Sequence, residues 1–238
     1  MRIIHLSDIH FGAANENTLE ILRDKIIKSA PDLLIISGDI TQNGYQNEFI
    51  AAEKYFASIP IKKFFVPGNH DMPQWEVFRR ITQPYKLYKR HINQDLEPIL
   101  IDNDVVIIGL NTARVILPDN NWANGAISKS QINKILQIRK THAKSKIILV
   151  AHHPINRVLD APIKYKVFGA KAALLAIRQA KIDLVLSGHL HKPAAQKIHD
   201  TLFITAPSAA SYRARGCKNG FMEFEITPKA IKINEVDF

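Results

Sequence analysis

Three polar residues in a row, Asn69, His70 and Asp71, follow a Pro67-Gly68 break at the end of a short apolar run. A carboxamide oxygen, an imidazole and a carboxylate on one tight turn suit three tasks: ligating a hard metal, moving a proton, and orienting the group that moves it. Four other apolar runs end the same way. The run 3–7 leads into Asp8-Ile9-His10, and 32–37 into Gly38-Asp39. The run 146–150 leads into Ala151-His152-His153, and 183–186 into Ser187-Gly188-His189-Leu190-His191. Every donor in this set is nitrogen or oxygen. The lack of a thiolate disfavours a structural zinc site, and the carboxylate–imidazole mixture suits Mn, Fe, Zn, Co or Ni. So many donors exceed what one ion needs, whereas two ions sharing a carboxylate use them naturally. Asp39, read as lying in the middle of the sheet, is the expected bridge. Two divalent ions about 3.5–4 Å apart clamp in-line displacement at phosphorus and lower the pKa of a shared water enough to give hydroxide at neutral pH. His70 is then placed to protonate the leaving oxygen, with Asp71 fixing its ring.

These turns converge only if the runs before them are parallel strands, because open α/β sheets carry their sites at the strands' C-terminal ends. The intervening segments are consistent with that. Residues 17–29 have helical spacing in Leu19, Leu22, Ile26 and Ile27, and stop at Ala30-Pro31, where the residue before proline disfavours α geometry. Residues 46–58 read as a second helix, with Phe49, Ile50, Tyr55 and Phe56 as its apolar stripe. The aromatic, basic stretch 72–95 reads as helical or irregular. Runs 97–101 and 105–110 around Asp102-Asn103-Asp104 predict a hairpin, and 128–139 and 170–180 predict helices. Short strands are expected over 196–199, 202–205, 221–226 and 231–236. The chain thus reads β-α-β-α-β, a hairpin, β-α-β, and an all-β last quarter. It shows no internal repeat and no Gly-, Ser- or Pro-rich linker. A single domain spanning residues 1–238 is expected, with its motifs in 8–191 and a β-rich part in 195–238.

Composition narrows the classes. Hydrophobic content of 46% and charged content of 23% are those of a soluble globular protein. The single cysteine, Cys217, rules out an internal disulfide and a cysteine-based zinc cage, and fits a reducing compartment. The opening residues run straight from a strand into a polar turn, leaving no room for a signal peptide, and no apolar stretch reaches bilayer length. A cytoplasmic location is expected. Net charge is +10, from 32 Lys and Arg against 22 Asp and Glu. That balance suits a small anionic substrate, nucleic acid or an anionic membrane surface. The basic residues are scattered in small clusters, however, and a solvated basic surface accounts for them equally.

The ordered pattern D-x-H, G-D, G-N-H-D, H and G-H-x-H resembles the calcineurin-like metallophosphoesterase superfamily over Asp8 to His191. The resemblance implies an α/β fold, a four-layer α/β/β/α sandwich of two mixed sheets flanked by helices. It implies two divalent metal ions, with manganese and iron foremost. Asp8, His10, Asp39 and His191 would hold the first, and Asp39, Asn69, His152 and His189 the second. His70 would act near the metals as acid or transition-state stabiliser. The β-rich tail, with Ala206-Pro207-Ser208, resembles the compact bacterial cyclic-nucleotide phosphodiesterases. A phosphodiesterase is therefore expected. The alternatives are a pyrophosphatase acting on a nucleotide-linked lipid A precursor, a DNA nuclease, and a non-catalytic metal-binding scaffold. Outside the motifs, His153 reads either as a hydrogen-bonding support or as a packed neighbour of His152. His5 reads as structural, and His91 as a surface residue. Asn111-Thr112 reads as lining the substrate side or as a polar turn. Arg213 and Arg215 read as phosphate contacts or as solvent-facing, the latter favoured.

Overall fold

The computed structural model describes residues 1–213 and 216–238. Its first half is built from β1 (Arg2–Leu6), α1 (Glu16–Ser29), β2 (Leu33–Ile36), α2 (Gln46–Ala57) and β3 (Lys63–Phe65). β1, β2 and β3 run parallel. The Asn15 side chain caps α1 by accepting from the Thr18 N–H. The helix ends at Ala30, forced into the left-handed region at φ 45°, immediately before Pro31. The segment read as helical or irregular resolves into two short helices, α3 (Val77–Thr82) and α4 (Lys86–His91).

The second half contains β4 (Ile99–Asp102), β5 (Val105–Leu110), β6 (Gly125–Ala126), α5 (Lys129–Thr141), β7 (Lys146–Ala151), β8 (Val167–Phe168), α6 (Ala170–Gln179) and β9 (Leu184–Ser187). It closes with β10 (Ala194–Ile198), β11 (Thr201–Thr205), β12 (Gly220–Ile226) and β13 (Ile231–Asp237). The strands form two mixed sheets, ordered β13-β12-β1-β2-β3 and β10-β11-β9-β7-β5-β4. A two-residue pair, β6 with β8, is too short to leave a sequence pattern. The β-rich tail divides between the sheets: β10 and β11 extend the second, while β12 and β13 extend the first.

Strand alternation sorts side chains into layers. In β2, Leu33 and Ile35 enter the core between the sheets, while Leu34 and Ile36 face the core that also contains Leu22 and Ile26 of α1 and Phe49 and Phe56 of α2. In β5, Ile107 enters the inter-sheet core, and Val106, Ile108 and Leu110 share a core with α5 and α6. The result is the expected helix–sheet–sheet–helix order.

Two expectations need correction. The site-bearing strands divide between the two expected sheets, β1 to β3 in the first and β7 and β9 in the second. Asp39 follows β2, one strand in from the edge of its sheet, and so does not occupy the middle of one. His91 is also no surface residue: its ring lies parallel to Phe49 at 6.4 Å and its Nδ1 is 2.8 Å from Glu53 Oε2.

Candidate metal centre

The C-terminal ends of β1, β2 and β3 meet those of β7 and β9. Contact there is close enough that a Cβ at Gly188 would strike the Ser7 side chain and the Asp8 carboxylate, and one at Gly68 would strike the Asp39 carboxylate. Just past the strands the backbone turns left-handed at Asp8 (φ 54°), His10 (56°), Asp39 (50°), His189 (70°) and His191 (56°). Such residues each cost about 1–3 kcal/mol and persist only where their surroundings over-determine them. Here the Asp8 and His10 N–H groups donate to the Gly38 and Asp39 carbonyls, both at 3.1 Å. The His189 N–H donates to Asp8 Oδ2 at 2.8 Å, and the His70 N–H to Asp39 Oδ1 at 2.8 Å.

One group of donors comprises Asp8, His10, Asp39 and His191, all buried, with one ligand atom from each within 4.8 Å of the others. His10 Nδ1 donates to the Thr41 carbonyl at 3.2 Å, and His191 Nδ1 to the Arg213 carbonyl at 2.7 Å. A carbonyl only accepts, so both rings carry their proton on Nδ1 and turn an Nε2 lone pair inward. Asp8 Oδ1, buried and without a hydrogen-bond partner among the described residues, lies 3.1 Å from His191 Nε2 and 3.9 Å from His10 Nε2. Asp39 Oδ2 is 3.8 Å from His10 Nε2. Lone pairs converging with no proton between them fit a cation.

Asp39 Oδ2 also lies 3.3 Å from His152 Nε2, which is 3.2 Å from Asn69 Oδ1. His152 Nδ1 donates to the Ser37 carbonyl at 2.9 Å, which turns Nε2 inward. His189 gathers with His152 and His153, one nitrogen from each within 4.8 Å of the others. His153, however, has both nitrogens occupied. Its Nε2–H donates to the Ala123 carbonyl at 2.9 Å, and its Nδ1 accepts from the Thr112 hydroxyl at 2.8 Å. It supports the cluster without a lone pair to spare, and Thr112 belongs to that support. Asn111 forms a turn, its side-chain oxygen accepting from the Ala113 N–H.

His70 stands at the rim, its ring edge-on to His10 with centroids 4.9 Å apart. Asp71 does not fix that ring. Its Oδ1 accepts from the Thr41 N–H at 2.9 Å and its Oδ2 from the Gly68 N–H at 2.8 Å, so it pins the two turns together. The ring is oriented instead by the Gln42 carbonyl, 2.6 Å from Nδ1, which frees Nε2. Thr41 and Gln42 escape sequence reading because a backbone carbonyl at a turn carries no residue signature. Arg215 lies outside the described residues.

Electrostatics follow burial and neighbours. Burial pushes the His10 and His189 imidazoles down to about 3. It would do the same to His152, but the Asp39 carboxylate outweighs it and raises this ring to about 9, so that without a metal Nε2 also holds a proton facing Asp39 Oδ2. Burial would raise Asp39, yet His152, His70 and His10 hold its carboxyl well below the usual range. Burial and the Asp39 charge push Asp71 up to about 7.

Comparison with known proteins agrees with this geometry. The family model described as calcineurin-like phosphoesterase matches residues 1–193. A probable glycerophosphodiester phosphodiesterase of Arcobacter nitrofigilis is 23% identical over 249 residues, covering 98% of this chain and 88% of its own. A probable cyclic nucleotide phosphodiesterase of Ruthia magnifica is 24% identical over 232 residues, covering 93% of this chain and 89% of its own. Among solved structures, a dimetal phosphatase from Danio rerio superposes with a TM-score of 0.76 at 10% identity, over 99% of this chain and 95% of that one. No helix among the described residues is long and apolar enough to cross a membrane. Since the family match covers all five donor turns, the chain belongs to the calcineurin-like phosphoesterases and is a metal-dependent hydrolase of phosphate esters.

Proposed function

We propose that this chain hydrolyses small phosphodiesters at a centre of two divalent cations. The observation that carries the reading is the Asp39 carboxylate, whose Oδ2 faces His10 on one side and His152 on the other. Asp8, His10, Asp39 and His191 would hold one ion, and Asp39, Asn69, His152 and His189 the other. Manganese and iron suit these donors best, and zinc, cobalt and nickel share the preference. When bound, the pair supplies Lewis-acid activation of a water and neutralises charge on the phosphate.

The chain's own residues supply the rest. His10, His152 and His191, each anchored through Nδ1–H, direct Nε2 inward, so the rings need not turn on loading and His152 only gives up its Nε2 proton. His70, held by Gln42, presents Nε2 at the rim and delivers a proton to the departing alkoxide. Asp71 keeps the turns of residues 41 and 68 in register beneath it. Two relatives named as a glycerophosphodiester and a cyclic nucleotide phosphodiesterase support a small diester as substrate. The net charge of +10 favours an anion, and the lone cysteine agrees with a reducing, cytoplasmic setting.

Elemental analysis of the purified protein, together with turnover of bis(p-nitrophenyl) phosphate after loading with each metal, tests the reading. About two ions per chain and metal-dependent release of nitrophenol are expected. Failure to bind or respond to any of Mn, Fe, Zn, Co or Ni would refute it.

A further inference from the structure

Arg213 is tied to the candidate centre at both ends. Its carbonyl accepts from His191 Nδ1 at 2.7 Å, and its own N–H donates to Ser211 Oγ at 3.1 Å. Its side chain crosses to the opposite wall. There Nη1 donates to Gln42 Oε1 at 3.3 Å and lies 3.5 Å from His70 Nε2. Gln42 is the residue whose carbonyl orients His70. The guanidinium therefore sits beside a rim ring nitrogen, His70 Nε2, that no acceptor among the described residues occupies, on a backbone that also positions His191. A guanidinium has five donors in a planar fork matched to the oxygens of a phosphate, and among the described residues only Nη1 has a protein acceptor.

We propose that Arg213 and Gln42 form an oxyanion subsite that grips a non-bridging oxygen of the substrate phosphate beside His70. The inference rests on the phosphodiesterase reading and adds a binding group to it that is not a metal ligand. Nη1 lies too far from His70 Nε2 for a strong hydrogen bond, and an anion accepting from the guanidinium supplies the partner that the ring does not. Gln42 keeps the guanidinium extended over the centre, so little side-chain freedom is lost on binding. A charge-assisted hydrogen bond of this kind contributes about 1.5–3 kcal/mol, or roughly 10- to 150-fold in affinity.

The test uses the metal-loaded protein with Arg213→Ala, Arg213→Lys and Gln42→Ala, with inorganic phosphate as the probe. Metal content is measured first, then phosphate affinity by calorimetry, then KM and kcat for bis(p-nitrophenyl) phosphate. Arg213→Ala is expected to retain its metal, bind phosphate at least tenfold more weakly and raise KM more than it lowers kcat. Arg213→Lys should recover part of the affinity, since it keeps the charge and loses the fork, and Gln42→Ala should show a smaller loss. Phosphate affinity within about twofold of the parent at full metal content would overturn the proposal. Loss of metal in both Arg213 variants would also overturn it, because the residue would then act only by positioning His191. A parent protein that binds no metal would instead sink the phosphodiesterase reading itself, an outcome distinct from either.

Discussion

The Nε2 atoms of His10 and His191 stand 3.1 Å apart, and in the neutral, Nδ1-protonated rings their lone pairs face each other. Their Nδ1–H groups are committed to the Thr41 and Arg213 carbonyls, and the Asp8 Oδ1 beside them has no partner among the described residues. Facing lone pairs repel, so without a cation this cluster opposes folding. Metal loading is therefore expected to stabilise the protein. At a hundredfold excess over Kd the gain is about 2.7 kcal/mol, or roughly 5–10 °C in Tm for a chain of this size. Thermal melts with chelator and with added Mn or Zn measure it, and superimposable melts would contradict the reading.

Asp39→Asn keeps the shape of the side chain and its acceptor for the His70 N–H, but removes the shared negative charge. Metal stoichiometry should fall by at least one ion, and turnover by about a thousandfold, the equivalent of several kcal/mol of lost charge stabilisation. Full occupancy and activity in this variant would show that Asp39 bridges nothing.

His70→Ala removes the rim imidazole without touching an inward-facing lone pair. The metal content should be unchanged while kcat drops by about a hundredfold or more, with the deficit growing as the leaving group becomes more basic. Kinetics on a series of aryl diesters decide it: a deficit independent of leaving-group pKa removes His70 as the acid.

His5 offers a pH test away from the centre. It is buried, bonded through Nε2 to Ser37 Oγ at 2.8 Å, and burial lowers its pKa from 6.5 to about 3. The unfolded chain binds this proton more readily, so stability is complete above pH 6.5 and is lost as pH falls from there towards 3. The slope reaches up to about 1.4 kcal/mol per pH unit. In chelated protein, urea unfolding at pH 7, 6 and 5 should therefore weaken less steeply for His5→Phe than for the parent. Parallel slopes would mean that His5 titrates normally in the fold.

Arg80 holds the segment after the Asn69–Asp71 turn. It is 2% exposed, donates to the carbonyls of Pro73, Arg114 and Val115, and lies over the Trp122 ring at 5.3 Å. Arg80→Leu leaves three carbonyls without their donor and should cost about 3 kcal/mol, or roughly 6–12 °C in Tm. Differential scanning of the loaded protein reads this, and a melt within about 2 °C of the parent would remove the staple from the account.

The donor types, their order and their place just past apolar runs are all local properties, so the chain alone determined them. Asp8, His10, Asp39, Asn69, His152, His189 and His191 each stand within four residues of the end of a strand that an apolar run and turn residues mark out. The layered α/β class follows for the same reason, because burial on two faces is written into runs such as Leu33–Ile36. Tertiary structure decided the rest. Long-range pairing put β1 to β3 in one sheet and β7 and β9 in the other, and so made the site a seam between the strand ends of two sheets. Spatial proximity gave His153 the Ala123 and Thr112 partners that occupy its nitrogens, although in the sequence it looks the same as its neighbour His152. Proximity also gave the orientation of His70 to the Gln42 carbonyl rather than to adjacent Asp71. Carbonyls are present at every residue, so which one a ring meets depends on distant chain segments folding together.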